Sequence, residues 1–180
     1  MPGVHNRDSH HTTRETNLSN IIRNALVTGA TSGIGQAIAE SLAATGVRVV
    51  VSGRDVTRGN AVVKAIQGRS GDARFLGADL ANASAASRLA DQAEELLGGI
   101  DILVNNAGIF SFGPTAETTV EAFDAMFASN VRAPYFLTAC LAPTMVARKW
   151  GRIVNITTMA AHFGMVGGAL YGYPKQPCSC

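Results

Sequence analysis

The octapeptide Thr28-Gly29-Ala30-Thr31-Ser32-Gly33-Ile34-Gly35 lies between a short apolar run, Ala25-Leu26-Val27, and a stretch with helical spacing. The run reads as a buried strand. Residues 34–45 place Ile34, Ile38 and Leu42 on one face and read as a helix, with Gly46 as its stop. One glycine would serve a turn; three at the spacing G-x-x-x-G-x-G, between a strand and a helix, point to a ligand. Gly29 permits the tight turn, Gly33 lets the backbone approach a pyrophosphate, and Gly35 lets helix and strand pack closely. The helix N-terminus offers free N–H groups and a positive dipole end to phosphates. We therefore expect a dinucleotide-binding βαβ unit whose loop contacts run through Thr28, Gly29, Thr31, Ser32, Gly33, Ile34 and Gly35.

The pattern continues along the chain. Residues 47–51 are apolar at almost every position, as in a parallel strand covered on both faces. Helices are expected over 57–67, 83–97 and 120–149, and strands over 73–77, 101–104 and 151–157. This alternation predicts an α/β fold, a doubly wound parallel sheet of about five strands with helices on both faces. The 180 residues suit one domain, placed at 21–180, with enough chain to bury a core without staples. Residues 1–20 are polar and aperiodic and read as a disordered leader. Its His5, His10 and His11 have no fixed acidic or cysteine ligand beside them, so a solvated tail is preferred to a metal site.

Composition narrows the function classes. Net charge is +2 with scattered basic residues, which argues against a nucleic-acid surface. No apolar run approaches the roughly 18 residues of a membrane span, and the N-terminus lacks the apolar stretch of a secretory signal. Cys140 stands alone and Cys178 and Cys180 sit at the end, a spacing that fits neither a disulfide framework nor a zinc site. A reducing cytoplasm is the expected location.

Two residues compete to select the dinucleotide. Asp55 follows Gly35 by the roughly 20 residues at which an acidic group meets a ribose 2′-hydroxyl. The strand register disagrees: the second strand ends near Val51 or Ser52, so its tip is Gly53, followed by Arg54. A missing carboxylate beside a guanidinium suits a 2′-phosphate, which arginine grips in bidentate fashion. NADP(H) is preferred on this ground, with NAD(H) as the alternative.

From Asn24 to Lys175 the chain resembles the short-chain dehydrogenases/reductases. The resemblance rests on the glycine loop, Asp79 after the third strand, Asn105-Asn106-Ala107-Gly108 after the fourth, Asn130 in the next helix, Val154-Asn155-Ile156-Thr157-Thr158, and Tyr171-x-x-x-Lys175. It implies a single Rossmann-like domain and hydride transfer between NAD(P) and a small-molecule carbonyl or alcohol. It further implies that Asp79 and Leu80 meet the adenine end, and that Asn106, Ala107 and Gly108 support the cofactor and the central sheet. Asn130 would hold a water in a proton relay, Thr158 would bond the substrate oxygen, Tyr171 would exchange the proton, and Lys175 would hold the nicotinamide ribose. Chemistry agrees, because a lysine four residues along shares the tyrosine's helix face and favours the phenolate.

The chain also departs from that pattern. Position 158 is usually serine; Thr158 keeps the hydroxyl, thirteen residues before the tyrosine, but adds a stiffening methyl. Pro174 stands between Tyr171 and Lys175 and Pro177 follows, so the helix meant to align them is poorly encoded. The Gln176-Pro177-Cys178-Ser179-Cys180 ending reads as a truncation or frameshift, with the C-terminal strands missing. On this reading residues 152–157 become an open apolar edge, catalysis is weak or absent, and the pairing of family members into homo-oligomers is compromised. Three outcomes stay open: an oxidoreductase, a dinucleotide-binding module without chemistry, and a nonfunctional fragment. On the resemblance, Ile109, Phe110, Phe112, His162, Phe163, Met165, Val166 and Leu170 would lie near a pocket mouth; they are mostly apolar, which leans toward a hydrophobic or acyl-type carbonyl.

Overall fold

The computed structural model describes residues 22–161 and 167–172. The 1–20 leader, His162, Phe163, Met165, Val166, Pro174, Lys175, Pro177, Cys178 and Cys180 lie outside the described residues. Five strands, β1 (Asn24–Thr28), β2 (Arg48–Gly53), β3 (Ala73–Gly77), β4 (Ile102–Asn105) and β5 (Arg152–Asn155), form one sheet in the order β3-β2-β1-β4-β5. All four pairings are parallel. The helices are α1 (Gly33–Ala44), α2 (Val56–Gln67), α3 (Ala85–Leu97), α4 (Val120–Phe127), α5 (Ala133–Ala147) and the short α6 (Ala169–Gly172).

Strand alternation divides the core into two layers. Ala25 and Val27 of β1 pack with Val49 and Val51 of β2 against the small and branched residues of α1 and α2, among them Ala39, Ala43, Val62 and Ile66. Leu26 and Val50 point the other way and pack with Leu89, Ala93 and Leu97 of α3 and Leu137 and Leu141 of α5. Val49, Val50 and Val51 are essentially excluded from water, each contributing about 1.5–3 kcal/mol of burial. The apolar run that the sequence offered as a two-faced parallel strand is one.

The buried stripe of α1 is Gly35, Ala39 and Ala43, with Ile38 and Leu42 half-buried beside it. Small residues at i, i+4 and i+8 let the helix lie close to β1 and β2. Ile34, grouped with Ile38 and Leu42 by spacing, is exposed on 65% of its surface at the helix entrance. The helical region expected over 120–149 is interrupted. A π-helical turn at residues 128–132 separates α4 from α5, and the Ala133 N–H reaches back five residues to the Ala128 carbonyl. Pro134 has no N–H to give the Asn130 carbonyl, and a π turn absorbs such a defect in the ladder.

Chain order reverses at β1, which lies between β2 and β4. Connections leave on opposite faces there, so a crevice opens beyond the carboxyl ends of β1 and β4, the usual ligand position in open α/β sheets. At the far edge, all four residues of β5 are exposed, including Ile153 and Val154.

Candidate functional site

The crevice is a cleft of roughly 330 Å³ lined by the glycine loop, the end of β2, residues 78–81, residues 107–109, and Ala125 and Ser129 from the α4 side. Its floor is held by one hydroxyl. Thr28 Oγ1 donates to the Val104 carbonyl (3.2 Å) and accepts from the N–H groups of Asn106 (3.1 Å) and Ala107 (3.0 Å). Asn106 returns the bond, its Nδ2 donating to the carbonyls of Thr28 (2.9 Å) and Gly29 (3.2 Å). The loops after β1 and β4 are thereby tied into one surface.

That tie explains two glycines. Gly29 has φ +63, and a Cβ on it would stand 2.8 Å from Ala107 Cα. A Cβ on Gly35 would meet the Gly29 carbonyl oxygen at 2.5 Å and overlap Asn106 Nδ2. The spacing of the motif is thus a packing requirement between two loops as well as a conformational one. Ser32 enters α1 in extended backbone, and its side chain does not cap the helix. The first turn also carries no acidic residue, so its N–H groups face the cleft region uncompensated. At Gly33 the space where a Cβ would stand is empty. A cradle of open backbone, free N–H groups and no competing carboxylate fits a pyrophosphate.

The end of β2 separates the two candidates for nucleotide selection. Gly53 is its last residue. Asp55 is the N-cap of α2: its carboxylate accepts from the Arg58 N–H (2.9 Å) and pairs with Arg58 Nε (2.8 Å). The Arg58 backbone N–H, helped by the guanidinium, holds the Asp55 carboxyl below the usual carboxylate range. Asp55 lines the cleft but is engaged by its own helix. Arg54 lines the cleft too, exposed, and makes no ion pair with a described residue. Asp79 turns one oxygen onto the Ala81 N–H (3.2 Å), and Leu80 is buried between the cleft and the core.

Across the cleft, the Asn130 side chain is fully engaged. Its Oδ1 accepts from the Ile109 N–H (3.0 Å), and its Nδ2 donates to the Ile109 carbonyl (2.9 Å) and to Met126 Sδ (3.0 Å). Asn130 therefore clamps the loop after β4 onto the π turn. Asn105 donates to Asn155 Oδ1 (2.9 Å) and leaves its own buried Oδ1 without a partner. Thr158 Oγ1 accepts from the Ala160 N–H (3.3 Å). The Tyr171 ring packs edge-on against Phe110 (6.1 Å between centroids) and Phe112 (6.3 Å). Neither Thr158 nor Tyr171 lines the cleft that holds the glycine loop.

Motif reasoning passed over Ser129. It is buried, lines the cleft, and its hydroxyl makes no hydrogen bond with a described residue. Nothing in its spacing marks it; only the π turn beside the cleft turns it inward.

The profile of the short chain dehydrogenases matches residues 23–177. The chain belongs to the short-chain dehydrogenase family. Among curated short-chain dehydrogenase relatives, it is 38% identical over 152 residues to 3-oxoacyl-[acyl-carrier-protein] reductase of Synechocystis sp., covering 84% of this chain and 62% of that protein. It is 37% identical over 148 residues to D-beta-hydroxybutyrate dehydrogenase of Cupriavidus necator, covering 82% and 56%. Against galactitol 2-dehydrogenase of Agrobacterium fabrum it is 35% identical over 148 residues, covering 82% and 57%. The chain thus spans about three fifths of the length of these relatives. Among solved structures, a metagenomic short-chain oxidoreductase in complex with NADP superposes with a TM-score of 0.82 at 40% identity, covering 85% of this chain and 70% of that one. A 3-oxoacyl (acyl-carrier-protein) reductase from Agrobacterium tumefaciens C58 with NADP bound also gives 0.82, at 35% identity, covering 85% and 59%. Among the described residues no helix is long and apolar enough to cross a membrane, and no group of side chains is arranged to hold a metal ion.

Proposed function

We propose that this chain carries the NADP(H)-binding part of an oxidoreductase that interconverts a small-molecule carbonyl and an alcohol. The observation that supports it best is the cleft itself, with an open glycine cradle at one end and, at the other, Arg54, which makes no ion pair with a described residue. Gly29, Thr31, Ser32, Gly33, Ile34 and Gly35 would hold the pyrophosphate, with Arg54 at the ribose 2′-phosphate and Asp79 and Leu80 at the adenine. Thr28 and Asn106 to Gly108 keep this surface in shape. The dinucleotide, when bound, supplies or takes the hydride. Tyr171 gives the substrate oxygen its proton, Thr158 bonds that oxygen, and Lys175 favours the tyrosinate. Asn130, with its side chain committed to Ile109, would hold a relay water through its main-chain carbonyl, to which Pro134 has no N–H to give. The relatives are named for 3-oxoacyl-[acyl-carrier-protein], D-beta-hydroxybutyrate and galactitol, so this part of the fold accompanies diverse alcohols and ketones. The apolar Ile109, Phe110 and Phe112 favour a hydrophobic carbonyl.

A second reading has its own support. Tyr171 is packed among phenylalanines and away from the cleft lining, as suits a nucleotide-binding module without turnover. NADPH fluorescence titration and thermal melts test the common part. Saturating NADPH at about 100 times Kd should add about 2.7 kcal/mol of stability, and Arg54→Ala should weaken NADPH at least about tenfold while leaving NADH unchanged. Absence of binding by either dinucleotide refutes both readings. Ketone-dependent NADPH oxidation then separates the enzyme from the module.

A further inference from the structure

Gly53 ends β2 where an acidic side chain would meet an unphosphorylated ribose. Here a side chain at that position would run into Thr31. A Cβ on Gly53 would lie 2.7 Å from Thr31 Cγ2, 3.2 Å from Thr31 Oγ1 and 3.5 Å from Thr31 Cβ. Both γ atoms of Thr31 thus crowd the same point, and a branched Cβ has few χ1 wells in which to turn away. The backbones on either side cannot easily separate. The Ala30 N–H donates to the Ser52 carbonyl (2.9 Å), the Ala78 N–H donates to the Gly53 carbonyl (3.1 Å), and Gly53 is in register with Gly77 of β3. Thr31 and Gly53 both line the cleft, and the Thr31 hydroxyl makes no hydrogen bond with a described residue.

We propose that Thr31 is the residue that determines which dinucleotide the cleft accepts. By filling the space over Gly53 it keeps a carboxylate off the end of β2 and leaves the ribose 2′ position to Arg54. A glycine at 53 is then a consequence of threonine at 31, and the two positions act as one unit. This rests on the NADP(H) reading above and adds to it the residue that enforces the preference. It also means that placing an acid at position 53 alone cannot convert the site to NAD.

Two coupled-substitution experiments test it. In the first, melts are recorded without ligand. Gly53→Ala should lower Tm by about 5 °C in the wild-type background and leave it nearly unchanged in Thr31→Ala, because removing both γ atoms leaves only an ordinary contact. In the second, NAD and NADP dissociation constants are measured for the wild type, Thr31→Ala, Gly53→Asp and the double variant. Gly53→Asp alone should weaken both dinucleotides. Relative to Thr31→Ala, the double variant should shift the NADP-to-NAD affinity ratio at least about tenfold toward NAD. Equal Tm losses for Gly53→Ala in the two backgrounds would overturn the proposal. So would a Gly53→Asp single variant that prefers NAD as strongly as the double. In either case, a wild type that binds NADP leaves the nucleotide reading standing. A wild type that binds neither dinucleotide defeats that reading and this proposal together.

Discussion

Thr28 uses the whole hydrogen-bonding capacity of its hydroxyl, one donor and two acceptor positions, in a site closed to water. Thr28→Val keeps the shape and leaves the Ala107 N–H without its acceptor, while the Asn106 N–H and the Val104 carbonyl keep only their bond to each other (3.1 Å). It should destabilise the fold by about 2–3 kcal/mol, read as a lower urea midpoint with unchanged slope. The motif marks Thr28 as a loop residue; its role in joining two loops depends on Asn106, 78 positions away. Asp55 and Arg54 show a second limit of reading by position. Counting along the chain makes Asp55 a ribose partner, whereas the strand register puts Gly53 and then Arg54 at the tip of the second strand. The strand does end at Gly53, and Asp55 caps α2, a role neither count foresaw, standing one turn before the Arg58 N–H from which it accepts. Folding lowers the Asp55 pKa, so its contribution exists above the unfolded value and disappears as pH falls through the folded one. Asp55→Ala should therefore lower Tm at neutral pH, with the gap narrowing once pH falls below the ordinary aspartate value of about 3.9. Asp55→Asn, still a competent cap, should show only the charge-dependent part.

At the scale of elements, the π turn between α4 and α5 decides the far wall of the cleft. It places Ser129 and Asn130 side by side, one toward the cleft and the other onto Ile109. Periodicity reads residues 120–149 as continuous because one residue more in a turn barely disturbs an apolar pattern. Pro134 is the local sign of the break, although proline near a helix start is equally ordinary. Asn130→Ala should release the loop after β4. Amide exchange over residues 108–112 should accelerate, with a stability loss of about 2 kcal/mol. Unchanged exchange there would deny the clamp.

For the whole molecule, the sheet order makes β1, β2 and β4 interior strands, while β3 and β5 are each paired on one side only among the described residues. On β5 the outward Ile153 and Val154 present an apolar edge. Such edges template association between chains. Val154→Lys should reduce concentration-dependent light scattering while leaving NADPH affinity intact, and equal scattering would show that β5 is not the sticky edge.

The order of strands and helices and the place of the glycine loop follow from the sequence alone, because period and glycine spacing are local properties that survive without a partner. The preference for two covered faces is equally local, written in the unbroken valines of β2. Tertiary structure alone decides which atoms share space: Gly35 against the Gly29 carbonyl, Thr31 over Gly53, Asn130 clamped to Ile109, and Tyr171 among phenylalanines. These contacts join residues from different strands and loops, and no spacing rule along one segment can encode the distance between two.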